Sequence, residues 1–379
     1  MSGVSRLDGF PGVDDCPQMT DTHIKTARRR LALGISNVGF WVLVSTAGLV
    51  WLSRSNTPPI QQTDLFKLLL AAVALQGFFD WVGGTVLMPP SPVAAKGFLP
   101  RWSRGVLVHT VLLAATGVLN YWSYRLSGGF CLGVAASSLA LFWGRRQVLQ
   151  LLSGAPVRAS SATGRACWSA AAKDPSFTGG ICGAGQKATI LLPEPWERSL
   201  TGSEMETVVQ RRLWEIQNQL PARALLFVLS WNLAGCGIGS LLLDLPGRAP
   251  ETALLLQCCW MTLWGFLGLL LLPTASRSAV FAADRAAAAK GCDVAAWIQR
   301  FPEITGEDGN AKTVLQRVFY PIPSARERLF WLGKSPSLPV LGNVARTNLF
   351  LSLATLTLLG RCVHCNVGRP ELWVFPPSD

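Results

Sequence analysis

Several apolar runs in this chain are each long enough to cross a lipid bilayer, and this restricts the fold more than any other feature. A membrane-spanning helix needs about 20 predominantly apolar residues. Half of the residues are hydrophobic and 15% are charged, against roughly 25% charged in a soluble domain. We therefore predict a mainly α-helical, polytopic membrane protein, and we exclude a soluble enzyme, a disordered chain and a fibrous protein. It would have six spans, or seven if Arg346 does not interrupt the last: 31–52, 65–88, 105–124, 128–144, 224–243, 252–273 and 340–361.

The basic residues predict the orientation of these spans. The chain has 34 Lys and Arg against 22 Asp and Glu, which gives a net charge of +12. Loops rich in Lys and Arg stay in the cytoplasm, and a basic cluster at 28–30 precedes the first span. We expect a cell-membrane protein with its N-terminus and the polar segments 145–223 and 274–338 in the cytoplasm. The lipid bilayer is the expected partner. Nucleic acid is not, because aromatic residues do not alternate with the basic ones.

The polar segments predict a split domain with a small β element. A Gly-rich turn at 179–185 followed by the apolar run 188–192 is typical of a turn and a short strand. The Ser/Ala/Gly-rich stretch 153–172 is typical of a linker. The predicted division is a tail (1–30), a four-span region (31–146), the first domain part (147–222), a membrane hairpin (223–273), the second domain part (274–338) and a possible seventh span with a tail (339–379).

Two ionisable residues, Asp80 and His109, lie inside the second and third spans. An ionisable residue within a membrane is a functional hypothesis by default. Because the two spans are antiparallel neighbours, a structural pair is the simpler interpretation. A small transporter or channel that uses both residues is the alternative.

Two helices are predicted in the polar segments. Ser203 followed by Glu206 is typical of a capping box, and the apolar spacing that follows predicts a helix over 203–219. An Ala-rich helix with a Gly stop is predicted over 276–291. A Tyr320-Pro321 turn comes later in the chain.

The order of these elements over 174–330 resembles that in the integral-membrane zinc metallopeptidases of the HtpX and CAAX-prenyl-protease kind. In that family a Gly-containing turn and strand precede a His-Glu-x-x-His helix. A membrane hairpin follows in the HtpX type, and a Glu-x-x-x-Asp helix and a His-Pro turn come later. The resemblance implies that 147–222 and 274–338 form one split metallopeptidase-like domain. The matching positions are 201–209, Arg277, Phe281, Asp284, Arg285 and Tyr320-Pro321.

The His-Glu-x-x-His residues of that family are replaced in this chain. The motif directs two imidazoles from one helix face towards one metal, and its Glu polarises the metal-bound water as the general base. Position by position, the first His falls on Arg211, the Glu on Arg212 and the second His on Glu215. A protonated arginine has no lone pair to offer a metal.

The remaining family residues are also replaced, with one exception. The third ligand, a Glu in the family, falls on Val280, and the His of the His-Pro turn falls on Tyr320. Only Asp284, which the family uses behind the ligands, is retained. The sequence has no His between residues 110 and 363. We therefore expect neither bound zinc nor any other cofactor, and no proteolysis.

The predicted function is a catalytically inactive metallopeptidase homologue. It would bind membrane-protein segments or partner subunits in the former substrate cleft without cleaving them. Two alternatives stay open: an active metalloendopeptidase that binds zinc through unusual ligands, and the transporter or channel described above.

An ion pair is predicted where the family holds its metal. Positions 211 and 215 share a helix face, and Asp284 lies one turn beyond Val280. We expect the Arg211 or Arg212 guanidinium within about 4 Å of the Asp284 or Glu215 carboxylate. The other basic residues of the segment, such as Arg326, Arg328 and Lys334, are expected near anionic lipid headgroups. Cys362 and Cys365 could form a disulfide or a weak metal site, or be ordinary thiols.

Overall fold

The computed structural model describes residues 21–54, 60–86, 97–160, 166–305, 322–334, 339–363 and 366–377. Its helices are α1 (Asp21–Leu52), α2 (Gln62–Trp81), α3 (Phe98–Ser127), α4 (Cys131–Trp143), α5 (Arg145–Ser153), α6 (Trp196–Ser199), α7 (Gly202–Gln217), α8 (Leu220–Leu242), α9 (Pro250–Ala288), α10 (Val294–Thr305), α11 (Ala325–Leu332), α12 (Val344–Leu351), α13 (Leu359–Cys362) and α14 (Pro370–Val374). A π-helical turn, Val82–Val86, extends α2.

Five helices are long and apolar enough to cross a bilayer, so the chain is mainly α-helical and carries several candidate spans. They are Arg28–Leu52 within α1, Gln62–Thr85, Phe98–Ser127, Leu220–Leu242 and Pro250–Ala288. Large apolar side chains on these helices are exposed on the outside of the bundle, including Leu107 (66%) and Leu241 (84%). This is the arrangement expected of a surface that contacts lipid.

The prediction of six or seven spans is wrong for two of the apolar runs in the described part of the chain. The fourth run forms α4, whose 13 residues extend about 20 Å, short of a bilayer core of about 30 Å. The seventh run forms α12, a 3₁₀ turn (Ser352–Thr355) and α13 rather than one helix. Leu356 has a left-handed backbone with φ of 59°, which ends the helical turn before it.

The C-terminal part of the chain, described over 339–363 and 366–377, lies in the interior of the molecule. Nearly every residue of 344–363 and 366–377 is buried, and the largest apolar core includes Phe350, Leu372 and Phe375. Irregular backbone at membrane depth is stable only where protein covers it. A methyl group at Gly360 would lie 2.2 Å from the carbonyl oxygen of Leu349, so only glycine fits this close approach.

The predicted β element is present as a four-stranded mixed sheet. Strands β1 (Val157–Ser160), β2 (Cys167–Ala170), β3 (Gly180–Cys182) and β4 (Thr189–Pro193) pair in the order β1-β2-β4-β3. The β2–β4 pair is parallel, with Ser169 opposite Leu192, and the other two pairs are antiparallel. The strand expected after the Gly-rich turn is confirmed as β4. The stretch expected to be a linker instead contains β1 and β2.

Helix α9 joins the membrane region to the polar region without a break. It has 39 residues and is therefore about 58 Å long. Its apolar first part is a candidate span, and its last turns form the helix expected over 276–291. Pro273 lies inside this helix. Membrane helices tolerate an internal proline where neighbouring groups satisfy the freed carbonyl. The predicted domain boundary at residue 273 thus falls within one continuous helix.

Candidate functional site

Helix α7 carries the first group of candidate residues, and its start is fixed by Thr201 rather than Ser203. The Thr201 backbone N–H donates to Glu204 Oε2 at 2.7 Å, and the Glu204 N–H donates to Thr201 Oγ1 at 3.3 Å. The capping box therefore begins two residues earlier than predicted. Arg300 of α10 also contacts Glu204, with 2.6 Å between Nη1 and Oε1.

The apolar face of α7 packs into a core of its own. Val208 and Val209 are buried in an apolar core that they share with Trp297 of α10 and Leu192 of β4. This packing places the following turn of α7, residues 211–215, against α9. Arg211, Arg212 and Glu215 are consequently buried although all three are charged.

An ion-pair cluster is centred on Asp284 in α9. Arg211 Nε lies 2.7 Å from Asp284 Oδ1. Arg328 of α11 donates from Nε to Oδ2 and from Nη2 to Oδ1, both at 2.8 Å. All three side chains are at most 2% exposed. The predicted ion pair between α7 and Asp284 is confirmed. The placement of Arg328 near lipid headgroups is wrong, because that residue is the two-pronged partner of a buried carboxylate.

Arg328 was not among the predicted site residues, although its guanidinium group is a suitable partner for the Asp284 carboxylate. A buried carboxylate needs a partner that satisfies both of its oxygens, and the planar guanidinium group does this with two parallel bonds. The sequence shows Asp284 in an Ala-rich helix and Arg328 more than forty positions later. Nothing in the spacing links the two residues, and only the packing of α11 on α9 brings them together.

A second polar group links α7 to the buried C-terminal part. Arg212 Nη1 lies 3.5 Å from Glu215 Oε1, and Asn343 Nδ2 donates to Glu215 Oε2 at 3.4 Å. Arg346 Nη1 then donates to Asn343 Oδ1 at 3.4 Å. Arg346, which interrupts the seventh apolar run, therefore belongs to the same neighbourhood as the predicted site residues.

Val280 is 3% exposed and lies one turn before Asp284. It is therefore buried on the helix that packs against α7, as the resemblance implied for the third-ligand position. Tyr320 lies outside the described residues, as do Cys365 and His364. Cys362 is buried, and its thiol donates to the carbonyl oxygen of Leu358 at 3.1 Å. Within the described ranges, no group of three or more His, Cys, Asp or Glu side chains could hold a metal ion.

A cavity of about 50 Å³ lies beside the Arg212–Glu215 pair. Its walls come from the end of α4, the turn before β3, α7, the start of α8 and the C-terminal part. The charged and amide residues that line it are Arg145, Arg212, Glu215, Asn343 and Arg346. Gly179 has φ of 71°, and a methyl group there would lie 2.1 Å from the carbonyl oxygen of Leu191, so the turn behind this wall requires glycine.

Arg361, which was not among the predicted site residues, contacts both Asp80 and His109. Arg361 of α13 pairs with the Asp80 carboxylate, and its Nη1 lies 3.4 Å from His109 Nδ1. Gln76 and the backbone N–H of Gly368 also donate to Asp80 Oδ1, both at 3.2 Å. All of these groups are buried, so the arrangement favours the structural interpretation. The position of Arg361 inside an apolar run was the available signal, since such a charge needs a partner.

The C-terminal part makes further polar contacts with the rest of the chain. Arg369 Nε lies 3.1 Å from Asp174 Oδ2, and Glu371 Oε1 lies 3.6 Å from Arg101 Nη1. Arg145 donates from Nε and Nη2 to the carbonyl oxygen of Val374 at 2.9 and 2.6 Å. Burial and the nearby Asp174 raise the pKa of Glu371 to about 7, against the opposing effect of the two arginines.

Together, these features describe a multi-pass membrane protein with five candidate spans, a small mixed sheet and a buried arginine-rich cluster between α7, α9 and α11. No protein-family model matches the chain, and no curated protein matches it.

Proposed function

We propose that the protein is a non-catalytic membrane protein that binds segments of partner membrane proteins. The observation that carries the proposal is the Arg211–Asp284–Arg328 cluster. In the metallopeptidases that the chain resembles, the corresponding part of the first helix holds zinc. Here that position carries guanidinium groups that stay protonated.

The cluster also makes the binding of a divalent cation energetically unfavourable. A metal at this point would face the positive charges of Arg211 and Arg328, and it would have to displace them from Asp284. Removing one partner from a buried ion pair costs about 3–5 kcal/mol. An active enzyme with unusual ligands would therefore first have to dismantle the packing between α7, α9 and α11.

The class of partner follows from the resemblance alone. A cleft that accepts membrane-protein segments for cleavage would accept them for binding once its metal and base are gone. The cavity beside Arg212 and Glu215 supports this proposal, because Arg212 follows Arg211 in α7 and the cavity is lined by Phe142 and Pro221 at the ends of the apolar helices α4 and α8.

Rebuilding the metal site tests the proposal. One variant combines Arg211→His, Arg212→Glu, Glu215→His and Val280→Glu, which restores every family residue of the two helices. Its matched control carries Arg212→His, Ile216→His and Val280→Glu, so the two imidazoles keep their spacing but leave the helix about 100° away. Zinc is measured by elemental analysis of purified, correctly folded protein.

The expected result is one zinc per rebuilt chain and none in the wild type or the control. Stoichiometric zinc in the wild type, or cleavage of a membrane-protein substrate by it, would contradict the non-catalytic function. A folded rebuilt variant without zinc would refute the geometric resemblance.

Partner binding is tested separately with a photoreactive amino acid in cells. Pro221 lines the cavity and is partly exposed, whereas Leu226 on the same helix is 63% exposed on the apolar surface. Position 221 should cross-link membrane proteins at their full length, and position 226 should not. Equal cross-linking at both positions would show that the cavity selects no partner.

A further inference from the structure

A cavity distinct from the one beside Arg212 lies between α8, α9 and the C-terminal part. Its polar wall consists of two amides and three hydroxyl residues: Asn232, Asn348, Ser352, Thr355 and Thr357. Its apolar wall consists of Met261, Gly265, Leu269, Leu349 and Leu359. None of the described lining residues is charged, so this cavity is polar without carrying a net charge.

The position of Asn232 places the cavity at the middle of a bilayer that α8 spans. Asn232 is near the centre of this 23-residue helix, about 15–18 Å from either end, and half of a bilayer core is about 15 Å. Asn232 is 3% exposed, and Thr355 and Thr357 are 5% and 2% exposed. Protein therefore shields these polar groups from lipid.

Asn232 brings an unsatisfied hydrogen-bond donor to the cavity wall. Its side-chain nitrogen, Nδ2, has no hydrogen-bond partner within the described ranges of the chain. A buried amide group without a partner destabilises the fold, and lipid chains cannot supply an acceptor inside a bilayer. A ligand that accepts a hydrogen bond from Asn232 would remove this penalty.

The hydroxyl groups of the turn 352–357 offer acceptors to the same cavity. Ser352 Oγ donates its hydrogen to the carbonyl oxygen of Leu349 at 2.6 Å. Thr355 Oγ1 and Thr357 Oγ1 donate theirs to the carbonyl oxygen of Ser352 at 2.9 and 3.2 Å. A hydroxyl group has one hydrogen and two lone pairs, so the three hydrogens are engaged while lone pairs remain.

Water suits both kinds of group, because it accepts a hydrogen bond from an amide and donates to hydroxyl oxygens. An anion would face the hydroxyl lone pairs. A cation would face the Asn232 N–H and would find no carboxylate in the described lining to compensate its charge. The cavity volume is about 10 Å³, and about 10–15 Å³ is the least that holds one water, which typically makes about three hydrogen bonds.

We propose that this cavity binds one water molecule, which links Asn232 of α8 to the hydroxyl groups of the turn 352–357. The water accepts a hydrogen bond from Asn232 Nδ2 and donates its two hydrogens to hydroxyl oxygens of the turn. It therefore attaches the C-terminal part to a candidate span through a polar bridge at the middle of the bilayer.

Radiolytic labelling of the detergent-purified protein tests the proposal through Met261. This residue lines the cavity and is 1% exposed, so bulk water does not reach it. A short X-ray pulse converts water into hydroxyl radicals where that water lies, and the radicals oxidise the side chains in contact with it. Mass spectrometry should show a faster oxidation of Met261 than of Phe130, which is 0% exposed in an apolar core. Each rate is divided by that of the free amino acid.

Three variants make the test specific. Asn232→Leu replaces the amide with an apolar group of similar size, and Thr355→Val removes a hydroxyl oxygen with little change of shape. Each should lower the oxidation rate of Met261 several-fold, because the water loses a partner. Ser230→Ala removes a polar group from the exposed side of the same helix and should leave the rate unchanged. Thr355→Val keeps the test decisive if Asn232→Leu does not fold.

A wild-type Met261 that is oxidised no faster than Phe130 would overturn the proposal. So would a rate that stays unchanged in the folded variants, or one that falls equally in Ser230→Ala. Wild-type labelling in choline chloride should match that in sodium chloride, and a rate that depends on sodium would assign the cavity to a cation instead. None of these outcomes depends on zinc or on a protein partner, so they are distinct from failure of the proposed function.

Discussion

The geometry of the Asp284 cluster predicts that its two arginines contribute unequally to the free energy of unfolding. Arg328 holds both carboxylate oxygens through two bonds of 2.8 Å, whereas Arg211 Nε lies 2.7 Å from Oδ1. Arg328→Met removes the two-pronged partner of a buried carboxylate, and we expect it to reduce the free energy of unfolding by about 3–5 kcal/mol. Arg211→Met leaves the two-pronged pair intact and should cost about 1–3 kcal/mol.

The double and triple variants follow from the same reasoning. Removing both arginines takes two guanidinium groups away from the same buried carboxylate, so the loss should exceed the sum of the single losses. Adding Asp284→Leu to that double variant should recover most of the stability, since apolar replacement of a whole buried ion cluster is often neutral.

Unfolding by SDS in mixed micelles, followed by tryptophan fluorescence, measures these differences. Arg326→Met is the matched control, because Arg326 is exposed on the same helix as Arg328; its effect should stay within about 0.5 kcal/mol. If Arg211→Met proves as costly as Arg328→Met, or if Asp284→Leu fails to restore the double variant, the assignment of the cluster is incorrect.

Three further predictions concern the helix cap, a buried acid and the orientation. Thr201→Ala should lower the free energy of unfolding by about 1 kcal/mol, whereas Ser203→Ala should change it little; equal losses would contradict the observed cap. The pKa of Glu371 is raised to about 7, so the folded state keeps this proton while the unfolded state has lost it above about pH 4.3. Stability should therefore fall by about 3 kcal/mol as the pH rises from 4.5 to 7, and Glu371→Gln should abolish this fall; a slope that persists in the variant would refute it. A membrane-impermeant maleimide should label Cys292, which is only partly buried, after permeabilisation but not in intact cells, and labelling of intact cells would reverse the predicted orientation.

Local patterns in the sequence identified the elements that depend on neighbouring residues. Five of the six or seven predicted spans coincide with helices long and apolar enough to cross a bilayer, because length and composition decide whether a segment suits a bilayer. The turn and strand before α7 also follow from short-range spacing, whereas the pairing of Arg211 with Asp284 was predicted from the metallopeptidase resemblance. Because the cap also depends on short-range spacing, it was misplaced by only two residues.

The features that the sequence did not reveal are long-range contacts. Arg361 reaches Asp80 and Arg369 reaches Asp174, and in each pair the two residues are far apart in the sequence. Apolar composition alone predicted a span where the C-terminal part instead forms short helices inside the bundle. Hydropathy does not separate burial in protein from burial in lipid, because both environments favour the same side chains.

The interior position of the C-terminal part also determines the order in which the molecule can be assembled. Synthesis proceeds from the N-terminus, so all five candidate spans are made before Arg361 and Arg369 leave the ribosome. Until then Asp80 and Asp174 lack these partners, and the helices enclose a space that residues 344–377 must later fill. The core is therefore completed only after all five candidate spans have been synthesised. A nascent chain that stops before residue 361 should remain an open intermediate, which membrane quality-control proteases would distinguish from the finished protein.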